Sequence, residues 1–379
     1  MLKKNPSWYT VSLITLMVIT ILRQYSLIFQ NITSTYGKVI DIIICILFAS
    51  IYLLFYSVKG KININETIFV FLMLIIFAVF SKQQLFILLM YSIAFTIVSP
   101  ETVVYIYRNA ILFAFFINTV FSLITHRIYN SQGEALAFGF GNQNTTAFYL
   151  GFLIILFSFY EDGVGNLKQR FSLKFYVFYS IVFLLVTFLF KDMTVTLLMV
   201  IYIFLSITIN NTSLINNRLF CMLVIITPFL LLLATYWLTI NYGYVTWTLN
   251  LDRLLSGRIN IWHYYFSRMP IELISNNRIF VISAWGNDYT PHQGLFDGSY
   301  AYMLYIFGFL FSIFYTLGVS LCNYKLIKYK KYVLLSMMIG LELVGFTENQ
   351  MFSYAYSFAS IFAILSFNKN WFRENMEND

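Results

Sequence analysis

Long apolar stretches separated by short polar breaks run along nearly the whole chain. A helix needs ~20 apolar residues to cross a hydrocarbon core about 30 Å thick, and the longer stretches reach that length. The pattern predicts an all-α polytopic membrane protein, with residues 1–379 as a single integral membrane domain. About twelve transmembrane helices are expected, at 8–29, 39–57, 66–81, 83–99, 103–125, 145–160, 172–190, 193–210, 218–240, 299–321, 332–347 and 350–367.

One long polar interruption, residues 241–298, breaks this pattern. Between Asp252 and Asp297 it contains four arginines, two histidines and three aspartates, although only 11% of all residues are charged. We expect this large loop to lie outside the cytoplasm, to contain short amphipathic helices and to carry the chemistry.

Composition supports the membrane class, because 60% of the residues are hydrophobic and the mean hydropathy is +0.75. Cys45, Cys221 and Cys322 lie within apolar runs. They are expected to be small buried side chains, without a disulfide or a metal. The net charge of +8 does not indicate nucleic-acid binding, since basic residues are expected on cytoplasmic loops.

The basic residues also predict an orientation. A cytoplasmic N-terminus places most of the 24 lysines and arginines on the inner side, including the cluster from Lys325 to Lys331. The long loop, the segment 126–144, the Lys191–Asp192 pair and Glu348 then face outward. Every unusual polar feature is therefore expected on one face.

A short helix is predicted inside the long loop. Apolar residues recur every three or four positions from Leu255 to Met269, Ser256 is a suitable N-cap, and Pro270 ends the pattern. We expect this helix to lie on the outer membrane surface. Arg258 in its first turn and Arg253 just upstream form a candidate diphosphate site; the alternative is contact with lipid phosphates.

Two histidines are candidate general bases, because histidine exchanges protons near neutral pH. His263 lies on the predicted helix beside Trp262 and Tyr264, where it equally fits an ordinary interfacial side chain. His292 and Asp297 precede the next span. Asp297 fits either a catalytic carboxylate or the N-cap of that span.

Other polar groups stand at the outer ends of predicted spans. Asn142 and Asn144, in FGFGNQNTTA, suit contacts with sugar hydroxyls and equally suit helix capping. Lys191 is a candidate phosphate contact as well as a turn residue beside Asp192. Ionisable residues at membrane depth are functional candidates by default, which draws attention to Glu342 and Glu348; Glu348 also fits an outer turn.

The sequence contains no Walker motif, no DxD-like carboxylate pair and no cluster of Cys and His. We therefore expect neither a metal nor a cofactor. A donor at the outer face must then carry its own activation, as a polyprenyl diphosphate does.

Four segments together resemble a known family. GNQN at the head of a middle span, SGRINIW in the loop, FDGSYAYMLYIFG entering the next span and GFTENQ near the end are similar to Wzy-type oligosaccharide repeat-unit polymerases. These belong to the O-antigen polymerase and O-antigen ligase superfamily. The resemblance covers the topology of nearly the whole chain. The motifs are short and degenerate, but their order along the chain and their predicted side of the membrane fit the family.

The resemblance implies a fold similar to the lipid-carrier-dependent (GT-C-like) glycosyltransferases and a place in the bacterial cytoplasmic membrane. Donor and acceptor would be oligosaccharides linked to undecaprenyl diphosphate, in the synthesis of capsule, exopolysaccharide or O-antigen. Membrane lipid, a chain-length regulator and a flippase are implied partners, and nucleic acid is not.

By the same resemblance, Arg258 matches the arginine of the SGR segment. Asp297 to Tyr300 matches a DNSY-like segment, which gives Tyr300 a substrate-binding role, with Gly298 where Asn is usual. Lys191 stands where the family commonly has an arginine, and Glu348 falls in the late glutamate segment. His292 is offset from the usual histidine of the ligases.

The resulting hypothesis is an inverting, metal-independent glycosyl transfer at the outer face. Arg258 and Arg253, with Lys191, would stabilise the departing diphosphate, and His292 or His263 would help to deprotonate the acceptor. One alternative is a ligase that moves finished glycan to another acceptor. Another is a flippase for lipid-linked oligosaccharides, disfavoured because no internal repeat is seen and the polar groups cluster on one side.

Overall fold

Helices dominate the computed structural model of the chain, which describes residues 7–29, 34–59, 68, 71, 75, 83–129, 135–161, 167–169, 172–211, 213–274, 297–368 and 371–372. His292 and most of the predicted span 66–81 lie outside these ranges. The helices are α1 Ser7–Tyr25, α2 Ser34–Lys59, α3 Gln83–Phe95, α4 Pro100–Ile124, α5 Gln143–Phe157, α6 Leu173–Leu184, α7 Met193–Asn211, α8 Arg218–Asn241, α9 Thr246–Leu254, α10 Arg258–Arg268, α11 Ser299–Lys328, α12 Tyr332–Gly345 and α13 Ala359–Leu365.

Short elements join some of these helices. Strands β1 Phe159–Glu161 and β2 Leu167–Gln169 form an antiparallel pair between α5 and α6. A π-helical turn, Leu185–Leu189, extends α6, and 3₁₀ turns lie at Leu27–Phe29 and Ser213–Asn216.

Three described helices, α4, α8 and α11, are long and apolar enough to cross a membrane, and several shorter apolar helices accompany them. Many large apolar side chains of α8 point outward, among them Leu219, Leu230 and Leu233. Such a surface is unfavourable in water and is expected against lipid. These features fit the predicted all-α membrane class.

The last predicted span, 350–367, is wrong as a full-length helix. Only α13 is helical there, and seven residues rise about 10 Å. The preceding chain forms turns held by serine hydroxyls: Ser357 donates to the carbonyl of Gln350 at 2.7 Å, and Ser360 to that of Met351 at 3.0 Å. These side chains compete with the helix for backbone groups, although the segment is buried and apolar as predicted.

Helix α11 is the centre of the bundle and packs against α8, α12 and α13. It is interrupted at Gly308, whose φ of 81° and ψ of −178° are not helical. The amides of Phe309 and Leu310 bond instead to the carbonyls of Glu272 and Leu273, both at 3.0 Å. A side chain at residue 308 would overlap the carbonyl of Ile274, so the glycine lets the long loop dock on this helix.

A buried polar contact ties α8, α11 and α12 together. Pro228 lies inside α8, and because proline has no amide hydrogen the carbonyl of Val224 lacks its usual helical donor. The side-chain Nδ2 of Asn323 donates to that carbonyl at 3.2 Å and to the Glu342 carboxylate at 2.8 Å. Glu342, a candidate from the sequence, thus has a structural role between helices.

The basic cluster lies at the far end of α11. Lys331 forms an ion pair with Glu101 at the start of α4. Lys325 donates to the carbonyls of Ser366 and Asn368 at 2.7 and 2.8 Å, just after α13 ends. The opposite end of α11, where it begins at Ser299, carries the candidate site.

Candidate active site

The predicted loop helix is present as α10, but its N-cap is not Ser256. Both Ser256 and Gly257 have positive φ, 57° and 79°, in a tight turn from α9 into α10, and Gly257 is the N-cap without a side-chain bond. The capping carboxylate comes from Asp252, whose Oδ1 accepts from the amide of Asn260 at 2.9 Å. This turn places Arg258 in the first turn of α10, as predicted.

Arg258 is held by carboxylates. Its Nη2 forms an ion pair with Glu348 and lies 3.7 Å from Oδ2 of Asp297. Its Nη1 donates to the carbonyl of Leu255 at 3.2 Å. Its Nε is buried and has no hydrogen-bond partner within the described part of the chain. The guanidinium therefore retains a donor after its carboxylate contacts are made.

Glu348 is 7% exposed and lies in the turn that follows α12. Its carboxylate accepts from the Thr194 hydroxyl at 3.3 Å and from the Gln350 amide at 3.4 Å. Its backbone carbonyl accepts from the amide and hydroxyl of Ser299, at 3.0 and 2.7 Å. The start of α11 and the end of α12 are thus clamped together at the site.

Asp192 lies in the predicted turn before α7. Its Oδ1 accepts from the amides of Thr194 and Val195, each at 3.0 Å, which makes it the N-cap of α7. It is buried and within electrostatic range of Arg258 and Asp297. The sequence predicts Asp192 only as a turn residue, and it gives no signal for Thr194 or Gln350 at the site.

Three carboxylates, those of Asp192, Asp297 and Glu348, surround one guanidinium. Burial raises the pKa of Glu348 to about 8, and nearby Asp297 adds to the rise while Arg258 opposes it. Burial also raises the pKa of Asp192, against the lowering effect of its two backbone amide bonds. A carboxyl group here can exchange a proton near neutral pH, where an exposed one would be fully ionised.

Trp262 and Gly298 position Asp297. The indole Nε1 of Trp262 donates to the backbone carbonyl of Asp297 at 2.7 Å. Gly298 has a φ of 100°, and a Cβ there would lie 2.8 Å from Cζ2 of Trp262 and 3.1 Å from the carbonyl oxygen of Phe346. Gly298 is also the N-cap of α11, without a side-chain bond, so the N-cap role considered for Asp297 is wrong.

The other candidates lie apart from this cluster. Arg253 is exposed in the last turn of α9, and Lys191 is exposed beside Asp192. His263 lies in the interface of α10 with α8, where Nδ1 is 2.8 Å from the carbonyl oxygen of Thr239. Tyr300 is fully buried, and its hydroxyl has no hydrogen-bond partner among the described residues.

Asn142 is the N-cap of α5, and its side chain accepts from the amide of Asn144 at 3.0 Å. Asn142 and Asn144 are both exposed. Of the two roles predicted for Asn142, helix capping and contact with sugar hydroxyls, the structure shows capping. The side chain of Asn144 faces outward.

Within the described ranges, His, Cys, Asp and Glu side chains form no group of three or more suited to a metal ion. The candidate site is a cluster of one guanidinium and three carboxylates, in which Asp192 and Glu348 are buried while Arg258 and Asp297 are partly exposed. Comparison of the chain with protein-family models, curated proteins and solved structures finds no match.

Proposed function

We propose that the chain polymerises lipid-linked polysaccharide repeat units at the outer face of a bacterial cytoplasmic membrane, through a fold of about twelve spans. The main support is that residues from three separate segments meet in space. The SGR, FDGSY and GFTENQ segments resemble one family and are far apart in sequence, yet Arg258, Asp297 and Glu348 meet in one cluster.

The donor in this proposal is glycan on undecaprenyl diphosphate. Its diphosphate replaces a carboxylate beside Arg258 and uses the unpartnered Nε as a second donor. Lys191 and Arg253, both exposed, add positive charge where the leaving group develops negative charge. Charge fixed in the protein then supplies the stabilisation that a metal gives in other transferases.

Glu348 is the base that the geometry favours. His263 is engaged with the Thr239 carbonyl between two helices, whereas Glu348 is buried beside Arg258 with a pKa near the working pH. When Arg258 binds the diphosphate in place of the Glu348 carboxylate, Glu348 is free to accept a proton. His292 keeps its place as an alternative base outside the described residues.

The step is a single displacement. The acceptor sugar oxygen bonds to the anomeric carbon of the donor while the bond from that carbon to the phosphate oxygen breaks, with inversion. The acceptor hydroxyl proton passes to Glu348. Undecaprenyl diphosphate leaves with the bonding electron pair, and Arg258 balances its charge.

The test is polymerisation by the purified protein in lipid nanodiscs. Lipid-linked repeat units, extracted from cells of the source organism blocked in polymerisation, are the only substrate. A ladder of products spaced by one repeat unit is expected, and it should persist in EDTA. Loss of the ladder in EDTA contradicts the metal-independent mechanism.

Two other outcomes would replace the proposal. Transfer only when a different acceptor is added identifies a ligase. Movement of intact lipid-linked units across the bilayer of sealed proteoliposomes, without any glycosidic product, identifies a flippase.

A further inference from the structure

Two tyrosine rings lie together at the end of the bundle that holds Arg258. The rings of Tyr25, at the end of α1, and Tyr356 have centroids 4.2 Å apart and an interplanar angle of 35°. Both residues are half-buried. Behind them, Tyr149 and Phe148 of α5 support Tyr356 at centroid distances of 5.4 and 5.3 Å. The rings therefore form a firm aromatic surface with an open side.

The hydroxyl groups of these rings are fixed by hydrogen bonds. The Tyr25 hydroxyl is 2.8 Å from Oγ of Ser353, and the Tyr356 hydroxyl is 2.8 Å from Oγ1 of Thr145. The carbonyl of Tyr25 also accepts from the amide of Gly141 at 2.9 Å. Helix α1, the start of α5 and the chain after Glu348 are thus joined around the rings.

Amide side chains with accessible surface stand next to the rings. Gln24 precedes Tyr25, and its Nε2 donates to the Tyr354 hydroxyl at 2.7 Å. Asn142 and Asn144 lie at the start of α5, and Asn144, which is exposed, precedes Thr145. We call Tyr25, Tyr356, Gln24, Asn142 and Asn144 the tyrosine patch.

This combination matches the chemistry of a sugar. One face of a pyranose ring presents C–H groups that pack on an aromatic ring, while its hydroxyls need neutral donors and acceptors around the rim. Partly exposed rings edged by amides supply both, and the five patch residues carry no formal charge. An anionic lipid headgroup would instead be met by arginine or lysine.

The patch lies near the candidate catalytic cluster. The carboxylates of Glu348 and Asp297 both lie within electrostatic range of the Tyr356 hydroxyl. Glu348 and Ser353 belong to one run of turns, in which the amide of Ser353 bonds to the carbonyl of Asn349 at 3.0 Å. A sugar on the rings would therefore lie on the same side of the bundle as the Glu348 turn.

We propose that the tyrosine patch is the acceptor subsite, which binds the terminal sugar of the incoming repeat unit and presents its hydroxyl to Glu348. This inference rests on the proposed function, and it assigns Tyr25 and Tyr356 to acceptor binding and Arg258 to donor binding. Variants of the two groups should then affect different substrates.

The test uses an alkyl glycoside of the repeat unit, which has no diphosphate and can only accept. Tyr25→Ala should raise its KM roughly tenfold with little change in kcat, because stacking contributes to acceptor binding. Asn144→Ala, an exposed change that spares the fold, should raise KM roughly threefold. Tyr324→Ala, an exposed tyrosine at the far end of α11, is the matched control and should leave KM unchanged.

A binding measurement separates the two proposals. Saturation-transfer NMR reports whether the same alkyl glycoside contacts the wild-type protein and the Tyr25→Ala variant. Polymerisation with unchanged acceptor KM in both patch variants overturns the subsite and leaves the polymerase standing. Glycoside binding that is lost in Tyr25→Ala, without any polymer from wild type, supports the sugar site and overturns the polymerase. Absence of both binding and polymer overturns both.

Discussion

Arg258 and Glu348 are 90 residues apart in the chain, yet their side chains form an ion pair at one end of the helix bundle. Asp297 approaches the same guanidinium nitrogen at 3.7 Å. Arg258 comes from the first turn of a short helix and Glu348 from the turn after a long one. The pair therefore joins the polar loop to the apolar bundle, and it can be tested from either side.

Replacement of Arg258 tests the donor site. Arg258→Ala should lower the polymerisation rate by about 10²–10³, because the hydrogen-bond donors aimed at the negative charge that develops on the leaving diphosphate are lost. Arg258→Lys should be intermediate, since it keeps the charge without the planar fork. The control is Arg268→Ala, an exposed arginine at the other end of the same helix, with activity near wild type. Wild-type rates in Arg258→Ala would exclude this residue from diphosphate binding.

The pH dependence of the rate tests Glu348. A base acts in its deprotonated form, so a pKa raised to about 8 should make the wild-type rate rise with pH up to that value. Glu348→Gln should lower the rate by about 10²–10⁴ and flatten the profile. Glu272→Gln, the same change at an exposed site, should keep the wild-type profile. A wild-type rate that is flat from pH 6 to 9 contradicts proton transfer to this carboxyl.

Local patterns in the sequence predicted the helices better than they predicted the contacts between them. The 3–4 spacing predicted α10 and the position of Arg258, but the cap from Asp252 was missed because it spans eight residues and a tight turn. The apolar run 350–367 concealed serines that bond to their own backbone. The pairing of Arg258 with Glu348 depends on how α11 and α12 pack, and periodicity contains no such information.

Gly298 offers a test of the tight packing where the long loop joins α11. A Cβ at residue 298 would meet Trp262 and the carbonyl of Phe346. Gly298→Asn should therefore destabilise the protein by roughly 1–3 kcal/mol, seen as a lower melting temperature in detergent. Gly243→Asn is a suitable control, because Gly243 also has a positive φ but has no atom within 4 Å of the place that a Cβ would occupy. Equal stability of both variants would contradict the crowding at residue 298.

Asn323 offers a test of the buried core. Asn323→Ala should cost roughly 2–4 kcal/mol, because it leaves the Val224 carbonyl and the Glu342 carboxyl without their donor. Adding Pro228→Ala should recover part of this loss, because residue 228 then has an amide for the Val224 carbonyl. Glu342→Gln keeps an acceptor for Asn323 and should cost less. Strictly additive effects of Asn323→Ala and Pro228→Ala, measured by thermal unfolding, would show that the two sites do not share that carbonyl.

The break at Gly308 divides α11 into unequal parts. Two amides that would bond within a continuous helix bond to the loop carbonyls of Glu272 and Leu273. The first part, Ser299 to Phe307, is therefore braced by the loop at one end and by the Glu348 turn at the other. A shift of the loop would therefore change the tilt of this short segment relative to the rest of α11. Asp297 and Tyr300 would move with it, while the remainder of α11 stays packed in the bundle.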